Sequence, residues 1–168
     1  EALRELRDLA RGIHPQVLTD GGLEPALESL ADRAGVAVEL SVDLRGHRFR
    51  PTVESTAYFV VAEALTNVAK HAGVASASVG ACQDGEELVV WVADAGTGGA
   101  EVAGGSGLRG LVDRLAAVDG RLDVTSPIGG GTRITARIPV TPGTRAVPGE
   151  DAGLALFPAA SDARTMGA

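Results

Sequence analysis

The chain has 168 residues with a formal net charge of −7, and 45% of its residues are hydrophobic, which is enough to build the core of one compact domain. The acidic balance argues against sequence-independent binding to nucleic acid or to an anionic membrane, because such binding needs clustered Lys and Arg. The single cysteine, Cys82, excludes an internal disulfide framework and a cysteine-rich zinc site, so we expect a cytoplasmic setting. No apolar run reaches the length of a membrane span.

The first residues predict a helix. Four apolar positions follow the 3, 4, 3 spacing that lines one seam of a helix. They are Leu3, Leu6, Ala10 and Ile13. No helix start signal precedes them, so residues 1–14 are expected to be the C-terminal part of a longer helix, whose seam suggests a dimer. Pro15 disfavours helical geometry at His14 and is expected to end this helix.

Residues 15–140 predict a domain of helices interspersed with hairpin-connected strands. The stretch "GLEPALESLADRAG" predicts a helix that Gly35 would cap. The following elements are a strand over 36–44, a helix over about 52–72, strands over 75–82 and 87–94, a mobile loop over 95–107, a helix over 108–120, and strands over 121–126 and 132–140. This order predicts an α/β fold, a two-layer sandwich of a mixed sheet with helices on one face.

Residues 141–168 form a third segment, which carries Pro and Gly throughout and has no hydrophobic period. We expect a disordered tail there.

The stretch "VVAEALTNVAKHA" places four polar residues, Glu63, Asn67, Lys70 and His71, in a helix that is otherwise apolar. At about 100° per residue, Asn67 and Lys70 lie within about 40° of Glu63. The apolar residues on the opposite side are Val61, Leu65, Val68 and Ala72. A Glu and Lys pair on a helix is ordinarily a solvated face, but asparagine is a poor helix former that serves to direct its amide at a specific group. The polar stripe is therefore a candidate binding site.

Three glycine-rich segments follow this helix. "DAGTG" begins at Asp94, whose carboxylate at a strand end can accept a hydrogen bond from an exocyclic amine such as that of adenine, and its Gly96 and Gly98 let the backbone approach a flat ligand. "GGSGLRG" leads into a helix, whose free N–H groups can hold phosphate oxygens. "GGGT" adds a turn with the hydroxyl of Thr132.

Each glycine-rich segment taken alone is a weak signal, and "DAGTG" alone is most often a turn. "GSGLRG" matches the pattern GxGxxG of dinucleotide-binding folds, but that pattern should follow a strand and open the helix of a βαβ unit, whereas here it follows a loop. The sequence contains no GxxxxGK[ST], so a P-loop is absent.

Taken in order, these segments resemble a known superfamily. "EALTNVAKHA" looks like the N box, "DAGTG" the first Gly box, "GSGLRGL" the second and "GGGT" the terminal Gly-Thr segment of the GHKL ATPases, the Bergerat fold shared by gyrase, the heat-shock chaperone, histidine kinases and the mismatch-repair protein. The short lid and "LRDLARGIHPQVL" resemble bacterial two-component sensor histidine kinases of the nitrate-sensor and desaturase-sensor type. The resemblance covers about residues 1–140 and implies a mostly antiparallel sheet preceded by the end of a dimerisation helix.

The resemblance implies ATP and Mg²⁺ as cofactors and assigns catalytic roles to three residues. Asn67 would hold Mg²⁺, Glu63 would orient or deprotonate a nucleophile, and Lys70 would offset phosphate charge, with His71 beside it. Asp94 would read the adenine amine. The nucleotide-binding residues that the resemblance implies are Asn67, Lys70, His71, Asp94, Gly96, Gly98, Gly105, Gly107, Leu108 and Thr132.

The phosphoryl acceptor is not identified among these residues. His14 precedes a proline and is interpreted as a structural or hinge residue, and His47 lies in a polar loop and is expected at the surface. The resemblance implies transfer of the γ-phosphoryl group of ATP to a histidine upstream of residue 1, for relay to the receiver domain of a response regulator. It also implies that the full-length protein forms a homodimer through an upstream helical hairpin. The location that it implies is the cytoplasm, with any membrane anchor of the full-length protein in a region outside this sequence.

Two other hypotheses remain open. An anti-sigma-type serine kinase would use the same nucleotide fold to bind a regulatory partner, although the opening helix fits that class poorly. The second hypothesis is an interaction domain that binds no nucleotide because its N box and Gly boxes have decayed. The intact Asn67 and Asp94 argue against it.

Overall fold

The computed structural model describes residues 16–100 and 106–140. The helix predicted over residues 1–14, the tail predicted over 141–168 and Gly105 lie outside the described residues. No helix in the described ranges is both long enough and apolar enough to cross a membrane.

The described elements follow the predicted order with one additional helix and one local change of helix type. They are α1 (Gln16–Gly21), α2 (Leu23–Arg33), β1 (Ala37–Asp43), α3 (Pro51–Asn67) continued by a π-helical turn (Val68–Ala72), β2 (Ser76–Asp84), β3 (Glu87–Asp94), α4 (Ser106–Ala116), β4 (Arg121–Thr125) and β5 (Thr132–Pro139).

The strands form one five-stranded sheet in the order β1-β2-β3-β5-β4. β1 pairs in parallel with β2, and the other neighbouring strands pair antiparallel. The helices pack against one face, with α2 on β1, α3 on β3 and β5, and α4 on β4. The predicted α/β fold with a mixed, mostly antiparallel sheet is therefore confirmed.

Helix α3 lies at the centre of the core. Its residues Val53, Ala57, Val60 and Val61 have no exposed surface, and Ala64 is 1% exposed. Burying a valine side chain completely stabilises the fold by about 1.5–3 kcal/mol. Because α3 contacts the two central strands as well as α2 and α4, its burial fixes the helical layer on the sheet.

The start of the described chain differs from the sequence-based prediction. Helix α1 was not predicted, because six residues are too short to show a hydrophobic period; its Leu18 is buried beneath α2. Gly22 separates the two helices at φ 82°, and its amide donates to the Leu18 carbonyl. The prediction that Gly35 caps α2 was wrong, because Ala34 already leaves the helix in an extended conformation.

An ion pair between the buried carboxylate of Glu54 and the partly exposed Arg48 ties this helical hairpin to α3. Glu54, in the first turn of α3, is 2% exposed and accepts hydrogen bonds from Arg48 Nε at 3.0 Å and from the Phe49 amide at 2.9 Å. The same guanidinium donates to the carbonyls of Leu18 and Thr19 in α1. A side chain at Gly22 would meet Arg48 at 2.7 Å, so the glycine leaves room for this contact.

The sheet face opposite the helices carries Trp91, the single tryptophan of the chain. Its indole lies against Gly80 of the neighbouring strand, where a Cβ atom would overlap the ring. Arg133 stacks on the indole, with Cζ 4.3 Å from the ring centroid. The positive guanidinium is attracted to the electron-rich face of the ring.

We predict that Gly80→Ala destabilises the fold by about 1–3 kcal/mol, because the added methyl group must displace the indole of Trp91. Urea unfolding measures the stability, and a red shift of tryptophan emission reports the displaced ring. Gly110→Ala is the matched control: it lies inside α4 with nothing within 4 Å of the new methyl group, so it should stabilise by about 0.5–1 kcal/mol. Equal stability of the two variants would contradict this account of Gly80.

Glu87, at the start of β3, receives two hydrogen bonds from Arg121, at 2.5 and 3.0 Å, and a longer one from Arg137. The paired guanidinium of Arg121 lowers the pKa of the Glu87 carboxyl below its ordinary value. A carboxyl with a lowered pKa in the folded state stabilises the fold above its unfolded pKa, and this stabilisation is lost as the pH falls through the folded value.

We therefore predict that Arg121→Gln raises the pKa of Glu87 toward its ordinary value and that the stability difference from wild type shrinks as the medium is acidified. Carboxyl-carbon NMR titration measures the pKa, and urea unfolding at several pH values measures the stability. Arg109→Gln removes an exposed charge from α4 and should leave the pKa of Glu87 unchanged. A Glu87 pKa that does not move in Arg121→Gln would show that the ion pair is absent in solution.

Candidate functional site

The polar stripe of α3 faces a cleft of about 610 Å³ between α3, α4 and the ends of β3 and β5. Glu63 and Asn67 are half-buried in its wall, and Lys70 and His71 line it from the exposed last turn of the helix. The residues predicted to lie opposite them, Val61, Leu65, Val68 and Ala72, are all buried. Val61 and Leu65 lie away from the cleft, as their helical spacing predicts. The prediction that Val68 and Ala72 lie opposite the polar residues was wrong: both line the cleft, because they belong to a turn that is π-helical.

The last turn of this helix, Val68–Ala72, is π-helical rather than α-helical, which the sequence analysis does not predict. Gly73 ends it in the left-handed conformation, at φ 69°. The Ala72 carbonyl accepts a hydrogen bond from the Thr97 amide at 3.2 Å, so the turn is tied to the loop that follows β3. Single π-helical turns are found frequently at functional sites.

Asp94 is the last residue of β3 and lies half-buried in the cleft wall. Its Oδ1 accepts a hydrogen bond from the Gly96 amide at 2.8 Å, which fixes the orientation of the carboxylate. Within the described residues no partner is recorded for Oδ2, so this oxygen can accept a hydrogen bond from a ligand. Gly96 does not line the cleft; a Cβ there would overlap the Ala72 carbonyl oxygen.

Thr132 lies directly opposite Asp94 in the register of β3 and β5, and both side chains line the cleft. Opposed residues on one face of an antiparallel pair have Cβ atoms about 4.5–5.5 Å apart. Two residues away along the same strands, Val92 lies opposite Ile134, and both also line the cleft. The strand ends therefore present an acceptor and a hydroxyl beside an apolar floor.

The two glycine-rich segments next to Asp94 and Thr132 bond to each other. The Gly131 amide donates to the Gly96 carbonyl, the Gly129 amide to the Thr97 carbonyl and the Gly99 amide to the Ser126 carbonyl. Gly98 and Gly131 have positive φ, and a Cβ at either would overlap backbone of the facing segment. Glycine is required here for contact between two backbones, which the sequence analysis does not predict. Gly98 also lines the cleft, and its contact with a ligand stays a prediction.

The third glycine-rich segment begins α4. Gly107 and the buried Leu108 line the cleft, in the first turn of the helix. A Cβ at Gly107 would overlap Glu63 Oε1, so this glycine lets the carboxylate lie against the helix start. A negative charge is favourable near the positive end of a helix dipole.

The sequence analysis does not identify the apolar lining of the cleft or the residues that support it. The further lining residues are Ala64, Val68, Ala72, Val92, Thr97, Gly99, Ala100 and Ile134. Val92 and Ile134 could have been found by period-two spacing from Asp94 and Thr132, since they share the inward face. His47 is exposed and lies outside the cleft, which confirms its expected surface position. Its Nδ1 lies 2.8 Å from Gln83 Oε1.

The cleft is chemically divided. Its strand end offers the Asp94 carboxylate, the Thr132 hydroxyl and apolar side chains, and its helix end offers the amide of Asn67, the ammonium of Lys70 and the N-terminus of α4. This arrangement suits a ligand with a flat, hydrogen-bonding part and an anionic part.

The chain matches no protein-family model. Its structure is similar to that of the histidine kinase domain of the EL346 blue-light activated histidine kinase from Erythrobacter litoralis, with 26% identity and a TM-score of 0.55 over 69% of this chain and 58% of that one. A structure of the EL346 kinase itself aligns with 23% identity and a TM-score of 0.59, over 83% of this chain and 47% of that one.

A third similar structure is the Acinetobacter baumannii histidine kinase AdeS, with 14% identity and a TM-score of 0.52 over 83% of this chain and 76% of that one. The chain spans about half the length of the two Erythrobacter structures. Its structural neighbours are histidine kinases, and the described chain has the α/β fold of their kinase domains.

Proposed function

We propose that the chain is the ATP-binding catalytic domain of a sensor histidine kinase, which binds Mg-ATP and transfers the γ-phosphoryl group to a histidine. The observation that carries this proposal is the divided cleft, whose strand end is built around Asp94 and whose helix end carries Asn67 and Lys70. The similarity to histidine kinase domains supports the same assignment.

At the strand end, the free oxygen of Asp94 accepts a hydrogen bond from the exocyclic amine of adenine. The Gly96 amide holds the other oxygen, so the carboxylate is oriented before the nucleotide arrives. Val92 and Ile134 form an apolar floor for the purine ring.

At the helix end, the first turn of α4 and Lys70 hold the phosphate oxygens. The free N–H groups of a helix start and a nearby ammonium both favour anions. Gly107 and Leu108 bring this turn to the cleft, and His71 lies beside Lys70 in the same wall.

Mg²⁺ fits this site together with a nucleotide. Within the described ranges, no group of three or more His, Cys, Asp or Glu could enclose a metal ion. Mg²⁺ bound to nucleotide phosphates takes only one or two protein ligands, because it keeps several waters and phosphate oxygens. The half-buried amide of Asn67, which lies in the cleft wall, would supply an oxygen ligand. When bound, Mg²⁺ would neutralise charge that develops on the phosphates.

In the reaction, a P–N bond forms to the acceptor imidazole as the bond between the γ-phosphorus and the bridging oxygen of ADP breaks. Glu63 orients the imidazole or takes up its proton, and its position in the cleft wall beside Gly107, at the start of α4, supports this role. Such transfer depends mostly on positioning and charge stabilisation, which these residues provide.

The acceptor histidine belongs to a helical hairpin upstream of residue 1, through which the full-length protein forms a homodimer, and the phosphoryl group passes on to the receiver domain of a response regulator. The chain works in the cytoplasm. The nitrate-sensor and desaturase-sensor type is the proposed subfamily, on the motif resemblance given above.

We predict that Asp94→Asn weakens binding of a nonhydrolysable Mg-ATP analogue by about 10- to 100-fold, the effect of one hydrogen bond to a charged group. The Gly96 amide would hold the oxygen of the new amide, so its NH₂ group would face the adenine amine. Calorimetric titration measures the affinity. Asp123→Asn, on the opposite face of the sheet, is the matched control and should bind as wild type does.

For Asn67→Ala we expect the affinity in Mg²⁺ to fall to the value measured in EDTA, while the EDTA value stays unchanged. Full Mg²⁺-dependent affinity in this variant would count heavily against the proposed metal ligand.

Transfer itself is measured with γ-labelled ATP and a longer chain that includes the upstream hairpin. Label on a histidine of that chain supports the kinase, and label on serine would favour the anti-sigma-type alternative.

A further inference from the structure

Helices α3 and α4 meet along a border that leads from the cleft to the solvent-facing side of the helical layer. At the cleft, Gly107 at the start of α4 adjoins the carboxylate of Glu63. Further away, the guanidinium of Arg114 lies over the ring of Phe59, with Cζ 4.5 Å from the ring centroid. Phe59 precedes Glu63 by one turn of α3, and Arg114 lies two turns of α4 beyond its start. The two helices therefore run antiparallel along this border.

The residues beside this border form a surface that we call the α3/α4 surface. It consists of Phe59, Ala62 and Thr66 from α3 and of Gly110 and Arg114 from α4. At about 100° per residue, Ala62 and Thr66 lie within about 60° of Phe59 around α3, and all three are half-buried. The Thr66 hydroxyl donates to the Ala62 carbonyl, which leaves this part of the surface weakly polar. An aromatic side chain and an arginine beside weakly polar residues are typical of a surface that binds protein.

Gly110 is the residue of this surface that the domain itself does not explain. It lies on the same face of α4 as Gly107 and Arg114, three residues after the first and four before the second. Glycine inside a helix costs about 0.5–1 kcal/mol relative to alanine. At Gly107 the carboxylate of Glu63 requires the glycine, but a Cβ atom at Gly110 would meet no described atom within 4 Å. A glycine at this place instead leaves room for another backbone to approach α4 closely.

Arg114 gives the α3/α4 surface its charge. The ion pairs recorded among the described residues involve other arginines. The contact of Arg114 with Phe59 is with the ring, so the N–H donors of its guanidinium remain for a carboxylate. The surface therefore suits a partner that carries an acidic side chain beside its apolar ones.

We propose that the α3/α4 surface docks the helix that carries the acceptor histidine, with Phe59 and Gly110 as positioning residues for the transfer. This inference rests on the proposed function. The acceptor imidazole has to reach Glu63, and Phe59 lies one turn of α3 from Glu63, so a helix that presents the imidazole there also covers Phe59. Two helices packed side by side leave a groove between them that fits a third helix. The occupant is an amphipathic helix whose apolar stripe meets Phe59 and Gly110 and whose carboxylate meets Arg114.

The test adds bulk at Gly110. Gly110→Leu places a side chain in the space left for the docking helix and puts a good helix former into α4. Calorimetric titration with a nonhydrolysable Mg-ATP analogue measures the affinity. The initial rate of histidine labelling by saturating γ-labelled ATP, in the longer chain with the upstream hairpin, measures the transfer. We expect an unchanged affinity and a rate at least about tenfold lower, the effect of blocking a central contact of an interface.

Ala116→Leu is the matched control, because it adds a leucine to the exposed side of α4, about 180° around the helix from Gly107. It should bind and label as wild type does. Phe59→Ala and Arg114→Gln test the surface independently of Gly110→Leu. Each should lower the labelling rate at saturating ATP by at least about fivefold and leave the affinity unchanged, since each removes an anchor of the docked helix.

The outcomes separate this inference from the proposed function. If folded wild type binds no Mg-ATP analogue, or binds it and labels no histidine in the longer chain, the proposed function is overturned and this inference with it. Labelling of Gly110→Leu at the wild-type rate overturns only the docking surface. An equal loss of rate in Ala116→Leu does the same, because bulk anywhere on α4 then slows the transfer. A weaker affinity of Gly110→Leu for the analogue shows an effect within the cleft and likewise overturns the docking role.

Discussion

The burial of one face of α3 against the two central strands is the constraint on which the rest of the structure depends. Because Val60, Val61 and Ala64 are removed from water, the helix has one rotation about its axis on the sheet, and Glu63 and Asn67 are turned toward α4 and the strand ends. A rotation by one residue, about 100°, would bury these polar side chains against the sheet without partners. Burial of the apolar face of α3 thus sets the direction in which the polar stripe points. The buried apolar residues need no contact with the charged groups to do this.

A second constraint comes from the approach of two backbones. The loop after β3 and the turn before β5 lie so close that Gly98 and Gly131 have no room for a side chain, and their hydrogen bonds hold the segments together. This contact brings Ser126 between Ala100 and Thr132. The same glycines that make the segments recognisable in the sequence therefore build the wall of the cleft.

Much of the fold and part of the site could be predicted from local patterns. Period-two alternation predicted β1, the turn "QDGE" between two strand-like segments predicted β2 and β3, and 3.6-residue spacing predicted α3 and its buried residues Val61 and Leu65. The patterns failed where elements are short or where the chain changes geometry within one element. Helix α1 has one buried leucine and no period, Gly35 does not cap α2, and the π-helical turn at Val68–Ala72 leaves no mark in the sequence because it depends on where its carbonyls find partners.

By itself the sequence determined which residues share a face and which carry ligand chemistry, because helical and strand periods are local and the side chains bring their own donors and acceptors. It determined the polar stripe with Glu63 and Asn67, the strand-end carboxylate of Asp94 and the glycine-rich turns. Only the tertiary structure decided that Asp94 lies opposite Thr132 and that Ser126 reaches both Thr132 and the Ala100 amide. The pairing of Asp94 with Thr132 joins residues 38 positions apart and the contact of Ser126 with Ala100 joins residues 26 positions apart, and packing of the whole domain decides both.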